Sequence, residues 1–185
     1  MKNSFKKELK KNRIAEVILL QVLESIYDDN ALIEDVADNP DCYHLGDVMV
    51  TNRVGNTYYF DAKNDGCIHK TGNVFCESHK HFLRNMKTRH SGFMEDGNYD
   101  YLSIVDRVSK CIYILDFKVL KKIYKNYRKV QTVLEDAYCY GNVISLEECK
   151  KKGALLHTIN YEEENGSYYA INMTFEQKCK TMLVC

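Results

Sequence analysis

The chain of 185 residues lacks a net charge, a long apolar run and a regular cysteine spacing. Its 26 basic and 26 acidic side chains cancel, so net charge gives no indication of a nucleic-acid or membrane partner. No stretch approaches the apolar length that spans a bilayer, and no membrane partner is expected. The eight cysteines are scattered, which favours free thiols in a reducing cytoplasm over a disulfide framework.

The start of the chain is basic and then apolar, as in an export signal, but polar residues interrupt the apolar run and no small-residue cleavage site follows it. We therefore predict a helix from about Phe5 to Tyr27 and a cytoplasmic location. The segment 24–41 is acidic without a single base, and we expect a loop around Asn39 and Pro40.

Length and an apolar content of 45% fit a single domain over residues 1–185. Period-two alternation predicts three hairpins and one further strand, over 46–65, 101–117, 156–173 and 73–77. A polar, basic connection follows from Ser78 to Gly92. The stretch 117–134 has one apolar stripe and many lysines, which predicts a basic amphipathic helix. The expected fold is α/β (α+β), with one central mixed sheet flanked by helices.

The hairpin 46–65 contains the main candidate residues, and its turn fixes which of them face each other. If Asn52 pairs with Asn56, the three-residue loop ends on Gly55, because glycine tolerates the left-handed conformation needed there. In that register Asp47 opposes Asp61. Lys63 lies two residues further along the same face.

Two opposed aspartates need compensation, because like charges with Cβ atoms about 5 Å apart destabilise a sheet. Lys63 supplies part of it. Two carboxylates that converge on one point are also the ligands that a hard divalent cation such as Mg²⁺ prefers. The alternative is a solvated strand face, on which the opposed charges of Asp47 and Asp61 turn into water.

Asp47 and the triplet Asp61-Ala62-Lys63 resemble the motif of the PD-(D/E)XK nuclease superfamily, which has the restriction-endonuclease-like fold. Over roughly 46–127 the chain also looks like an uncharacterised phage and bacterial branch of that superfamily, in which Thr-Gly-Asn, here residues 71–73, precedes a glutamate, here Glu77. Gly46 stands where the motif often has proline.

The resemblance implies a metal-dependent endonuclease with DNA as the expected substrate. Asp47, Asp61 and Glu77 would hold Mg²⁺ or Mn²⁺, while Lys63 would orient the attacking water or stabilise the developing charge. Glu16 takes the place of a helical glutamate that reaches the metal in resolvase-type members. Simpler alternatives remain for two residues, since Glu77 at a strand end is often solvated and Glu16 has salt-bridge partners nearby in the sequence, Arg13 or a lysine.

Two basic segments are candidates for contacts with nucleic-acid phosphates. The predicted nucleic-acid-binding residues are Lys80, Arg84, Lys87, Arg89, Lys118, Lys122, Lys125 and Lys129. An ordinary solvated helix face explains the second segment equally well. The cysteines and histidines of 66–82 invite a zinc interpretation, but they show no paired spacing of the Cys-x2-Cys type.

Three functions are therefore compatible with the sequence. The first is a metal-dependent endonuclease acting on DNA. The second is a catalytically silent nucleic-acid-binding protein, or a phage inhibitor, on the same fold. The third is a nuclease acting on RNA or on a cyclic nucleotide. A homodimer stays open in each case, and the substrate form depends on it.

Overall fold

The computed structural model describes residues 2–42, 44–133 and 136–176, without the side chains of 2–12 and 28. The helices are α1 (Lys2–Tyr27), α2 (Ile68–Thr71), α3 (Phe93–Asp96), α4 (Phe117–Ile123) and α5 (Leu146–Lys151). The strands are β1 (Ala31–Asp35), β2 (Val48–Asn52), β3 (Thr57–Asn64), β4 (Asn73–Phe82), β5 (His90–Ser91), β6 (Tyr101–Asp106), β7 (Cys111–Asp116), β8 (Arg128–Val133), β9 (Ala137–Ser145), β10 (Leu155–Glu164) and β11 (Ser167–Phe175).

The fold is mixed α+β with a large mixed sheet and few helices. A seven-stranded sheet has the order β1-β2-β3-β6-β7-β10-β11, and a four-stranded sheet has the order β5-β4-β9-β8. The pair β3–β6 is parallel, whereas the other strand pairs are antiparallel. The prediction of a single sheet was therefore wrong, because β4 does not join the large sheet but pairs with β9 in a second one.

Apolar cores lie on opposite faces of the seven-stranded sheet, as the alternation along its strands requires. On β6, Val105 belongs to the core formed with α1, while Leu102 and Ile104 belong to the core that faces the second sheet. The helix α1 covers the first face with Ile18 and Val22, both 1% exposed or less. The second core joins the two sheets and is closed by α3, α4 and α5.

The predicted hairpins are confirmed in position and register. In the first, the amide of Asn52 donates to the carbonyl of Asn56 at 2.9 Å, and Gly55 has φ 83°. Val48 pairs with Phe60, as expected from that turn. The last hairpin turns at Asn165 and Gly166, which have φ 53° and 82°. These positive φ values are the reason why asparagine and glycine specify the turn.

The predicted helix over 117–134 was wrong in its second half. The carboxylate of Asp116 caps α4 by accepting a hydrogen bond from the amide of Val119 at 2.9 Å, but the helix ends at Ile123. The β-branched residues Val130, Thr132 and Val133 then lie in β8, which pairs with β9. Lys129 consequently lies on a strand and not on the face of a basic helix.

Two other segments are more regular than expected. The acidic segment 24–41 contains β1, which pairs with β2 along the edge of the large sheet. The connection 78–92 begins as the second half of β4 and ends with the short strand β5. Of the helices in the described part of the chain, none combines the length and the apolar composition needed to cross a bilayer.

His157 on β10, which pairs with Ile114 of the core formed with α1, provides a test of this core through acid sensitivity. Its side chain is 1% exposed, and neither ring nitrogen has a hydrogen-bond partner among the described residues. Burial lowers the pKa of His157 to about 4, whereas an unfolded chain has a histidine pKa of about 6.5. The unfolded state therefore takes up the proton first, so this contribution to stability is complete above about pH 6.5 and is lost as the pH falls towards 4.

We expect the free energy of unfolding to fall between pH 7 and pH 4 by about 2–3 kcal/mol more in the wild type than in His157→Phe. Urea denaturation at a series of pH values measures this difference. Parallel pH profiles for the two proteins would contradict the assignment of a buried, neutral His157.

Candidate functional site

A cavity of about 650 Å³ opens where the first hairpin meets β4 and α3. Four of the five predicted catalytic residues line it, together with one predicted phosphate contact: Asp47, Asp61, Lys63, Glu77 and Lys80. Strand alternation directs Asp61 and Lys63 to this face, while Phe60 and Ala62 belong to the core with α1. Carboxylates and amines that are far apart in the sequence thus meet in one place.

Asp47 is held against β3 by two hydrogen bonds. Its amide donates to the carbonyl of Phe60 at 2.7 Å, and its Oδ2 accepts from the amide of Ala62 at 2.8 Å. The regular register ends with Val48, which pairs with Phe60. The Asp47 amide bonds to that same Phe60 carbonyl, so the predicted pair of Asp47 with Asp61 is not part of the strand pairing, although the Asp47 charge adds to the burial that raises the pKa of Asp61. The Asp47 carboxylate is therefore fixed by backbone contacts and does not turn freely into water.

Gly46 allows this close approach. It has φ 137°, and a Cβ atom there would lie 2.6 Å from the carbonyl oxygen of Phe60. A residue with a side chain would be strained in this conformation and would collide with backbone, and proline is excluded because its ring fixes φ near −65°. The absence of the motif proline thus has a local structural reason.

We expect Gly46→Ala to lower the free energy of unfolding by about 1–3 kcal/mol and to displace Asp47 from the cavity. Gly55→Ala is the matched control, since Gly55 also has a positive φ of 83° but has open space around it. Urea denaturation gives the stability of both variants. Titration with Mn²⁺ gives their affinity for the cation, which should fall if the Asp47 carboxylate is displaced. Equal Mn²⁺ affinity in the wild type and Gly46→Ala would contradict the positioning role of Gly46.

Lys63 and Asp61 form an ion pair at the floor of the cavity. Lys63 Nζ donates to Asp61 Oδ1 at 2.8 Å and lies 2.7 Å from Oδ2, although Oδ2 has no hydrogen bond of good geometry. Burial raises the pKa of Asp61 to about 6 against the opposing effect of Lys63. Burial lowers the pKa of Lys63, but the Asp61 and Asp47 carboxylates outweigh it and the net shift is upward. Both groups are therefore charged at neutral pH.

Glu77 reaches the cavity from β4 of the second sheet. Gly92 packs directly against it, because a Cβ at that position would lie 2.5 Å from the Glu77 carbonyl oxygen and 2.8 Å from its Cγ. The amide of Gly92 also donates to the carbonyl of Ser78 at 2.8 Å, next along β4. These contacts hold the segment before α3 against Glu77, which forms part of the wall of the same cavity as Asp47 and Asp61.

Glu16 lies on α1 and is not among the residues that line the cavity. Its carboxylate accepts a hydrogen bond from Arg13 Nη1 at 2.8 Å, and Arg13 Nη2 lies 2.6 Å from Asp35 on β1. Burial raises the pKa of Glu16, and Asp47 adds to that effect. The salt bridge between Glu16 and Arg13, which the sequence suggested as the simpler alternative, is thus formed. The charge of Glu16 nevertheless influences the charged groups of the cavity.

Two carboxylates of the cavity are of the type that a hard divalent cation prefers. They belong to Asp47, just before β2, and to Asp61 on β3, whose buried Oδ2 has no hydrogen bond of good geometry among the described residues. As the side chains stand, Lys63 covers the Asp61 carboxylate. Within 2–42, 44–133 and 136–176, no group of three or more His, Cys, Asp or Glu side chains is arranged to hold a metal ion. A third ligand such as Glu77 would have to move inward.

The zinc alternative gains no support from the same residues. Cys76 is fully buried between the sheets, while His79 stacks on Tyr140 with ring centroids 4.8 Å apart. His69 lies elsewhere, 3.6 Å from Asp106.

The residues predicted to contact phosphates differ in their surroundings. Lys80 lines the cavity and lies 5.6 Å above the Phe82 ring, which Arg84 also approaches at 5.6 Å. Arg89 is paired with Glu95 on α3. The remaining residues are exposed on the turn after β4, on α4 and on the segment that follows it: Lys87, Lys118, Lys122, Lys125 and Lys129. Lys118 Nζ lies 3.4 Å from Asp100.

Sequence reasoning missed Tyr99, which lines the cavity beside Asp61. The residue is 4% exposed, and its hydroxyl has no geometric hydrogen-bond partner among the residues that the structure describes. Burial raises the pKa of Tyr99, and the carboxylates of Asp61 and Asp47 raise it further. Its place just before β6 became relevant only through the parallel pairing of β6 with β3, for which the local sequence has no signal.

No protein-family model, no curated protein and no solved structure matches this chain.

Proposed function

We propose that this protein is a metal-dependent endonuclease of the PD-(D/E)XK type that hydrolyses phosphodiester bonds in DNA. The supporting observation is the meeting of Asp47, Asp61, Lys63 and Glu77 at one cavity, where the charge of the half-buried Asp47 acts on the buried Asp61. Two neighbouring acids, one of them buried, are costly to a fold, and a binding role for a cation accounts for them.

The proposal assigns a separate role to each of these residues. Asp47 and Asp61, with Glu77 as a third ligand, would hold Mg²⁺ or Mn²⁺, which would polarise the scissile phosphate and lower the pKa of a bound water. Lys63 would leave Asp61 when the substrate enters, and its ammonium would then face the attacking water or the charge that develops on phosphorus. The ion pair of the free protein thus keeps both groups charged and in place.

DNA is proposed as the substrate because of the basic side chains on the second half of β4 and on the turn that follows it. Lys80 lies within the cavity wall, and Arg84 and Lys87 follow it on the exposed turn after β4. Such side chains contact backbone phosphates irrespective of base sequence, and the affinity they provide decreases steeply with salt. RNA offers the same phosphates and stays a competitor within this proposal.

A second candidate function is a binding or inhibitor protein without catalysis. It is favoured by the closed Lys63–Asp61 ion pair, with distances of 2.7 and 2.8 Å, which occupies the oxygens that a cation needs. Such a protein would bind nucleic acid through Lys80 and its neighbours and would leave it intact.

The test is incubation of the protein with Mg²⁺ or Mn²⁺ and a panel of linear, plasmid and branched DNA and RNA. The proposal predicts cleavage of at least one DNA form that EDTA abolishes. Binding of DNA without cleavage under either metal would favour the second candidate, and cleavage confined to RNA would reject the proposed substrate.

A further inference from the structure

Tyr99 and Asp61 each present to the same cavity a buried oxygen that has no hydrogen bond of good geometry within the described part of the chain, although Lys63 Nζ lies 2.7 Å from the Asp61 oxygen. The two atoms are the Tyr99 hydroxyl and Asp61 Oδ2. One is a donor and the other an acceptor. Burial raises the pKa of Tyr99, and Asp61 raises it further through its charge and as a nearby acceptor, although the two groups do not reach the geometry of a full hydrogen bond. Burying an unpaired hydroxyl costs about 1–3 kcal/mol, a cost that phenylalanine would avoid. The hydroxyl therefore calls for an explanation.

The ring of Tyr99 is held in place and cannot turn its hydroxyl towards water. Its centroid lies 4.0 Å from that of Phe117, and Gly97 packs so tightly on the ring that a Cβ would lie 2.5 Å from it. On either side of Tyr99, the amide of Asn98 donates to His44 at 2.9 Å and the amide of Asp100 donates to Tyr59 at 3.0 Å. The donor is thus aimed at the cavity by the backbone.

We infer that Tyr99 is a positioning residue whose hydroxyl donates a hydrogen bond to Asp61 Oδ2 when Lys63 leaves that carboxylate. In the free protein Lys63 Nζ contacts both Asp61 oxygens, at 2.8 and 2.7 Å. When the ammonium moves to a bound phosphate, a buried charge would be left without a partner, which is costly. Tyr99 supplies the replacement donor and holds the carboxylate in one orientation. The role in turnover rests on the proposed nuclease function, whereas the exchange of partners does not.

The exchange of partners is tested by measuring unfolding in urea at pH 8 without metal. Tyr99→Phe is made in the wild type and in Lys63→Met, which keeps the aliphatic stem of the side chain but removes its charge. We expect Tyr99→Phe to lower the unfolding equilibrium constant by about fivefold in the wild type, where the hydroxyl is unpaired, and to raise it by about tenfold in Lys63→Met, where the hydroxyl pairs with Asp61. Equal effects in the two backgrounds would overturn the inference, because a purely structural hydroxyl does not respond to Lys63.

Two controls keep this result interpretable. Tyr161→Phe removes a hydroxyl from another buried tyrosine, 3% exposed and in the core with α1, and should have the same effect in both backgrounds. Lys63→Gln replaces Lys63→Met if the latter does not fold, and the same comparison decides.

Turnover provides a second measurement. Tyr99→Phe should lower kcat by about tenfold and leave KM within about twofold, because the hydroxyl bonds to Asp61 only after Lys63 has turned to the substrate. A changed KM with an unchanged kcat would assign Tyr99 to substrate binding and overturn the positioning role. If the wild type cuts no substrate, the proposed function fails, but the unfolding comparison still decides the inference about Tyr99.

Discussion

Lys63→Ala is expected to lower the rate of DNA cleavage by at least about 100-fold, the loss that follows removal of one preorganised electrostatic group. The ammonium is the cationic group next to Asp61 in the cavity, 2.7 Å from its Oδ2. No neutral side chain can take over its attraction for an attacking water or a developing negative charge. The assay is plasmid nicking at pH 8, above the Asp61 pKa of about 6.

The same substitution should not weaken metal binding. Lys63 competes with a cation for the Asp61 carboxylate, so its removal should leave Mn²⁺ affinity unchanged or increased. Lys152→Ala, an exposed lysine after α5, is the control and should cut DNA at the wild-type rate. Full activity in Lys63→Ala would reject its catalytic role, and joint loss of cleavage and Mn²⁺ binding would indicate that the site had collapsed.

Asp47→Asn is expected to abolish detectable cleavage while it stabilises the fold. The amide oxygen of asparagine can still accept the hydrogen bond that Ala62 donates at 2.8 Å, so the hairpin geometry is kept. The like-charge repulsion with Asp61 disappears, which should raise the free energy of unfolding by about 0.5–1 kcal/mol. The lost charge should weaken cation binding and reduce cleavage by about 100-fold or more.

Asp41→Asn is the matched control for this prediction, because Asp41 is exposed and lies outside the cavity. It should change neither cleavage nor metal affinity. Urea denaturation and plasmid nicking are measured on the same preparations. An Asp47→Asn protein that is both less stable and fully active would contradict the account of the opposed acids.

The register of the first hairpin could be predicted because a local turn determines it. Gly55 requires a left-handed conformation, Asn52 then pairs with Asn56, and the further pairs follow as far as Val48 with Phe60. The residues Asn165 and Gly166 specify the last hairpin in the same way. Where the chain reverses within a few residues, the sequence alone determines the register of both strands.

The second sheet could not be predicted because its pairing is not local. The strand β4 pairs with β9, which lies more than fifty residues further along the chain, and no turn joins them. The parallel pairing of β3 with β6 is of the same kind, and it brings Tyr99 to the cavity. For β8, the β-branched residues Val130 and Thr132 were a usable signal, but the lysines around them suggested a helical stripe.

The position of Glu77 could be predicted only in part. Its strand was predicted from alternation, whereas its position opposite the hairpin depends on how the two sheets pack around the second core. Motif resemblance suggested its role, and the cavity places it near Asp47 and Asp61 without joining it to them.

Calorimetric titration of Mn²⁺ into the protein at pH 8 tests the central claim most directly. Opposed carboxylates that serve as ligands predict saturable binding of Mn²⁺ in the wild type, weakened by about 100-fold or lost in Asp47→Asn and Asp61→Asn and unchanged in Asp41→Asn. Absence of Mn²⁺ and Mg²⁺ uptake by the wild type, or uptake that survives both aspartate substitutions, would contradict it.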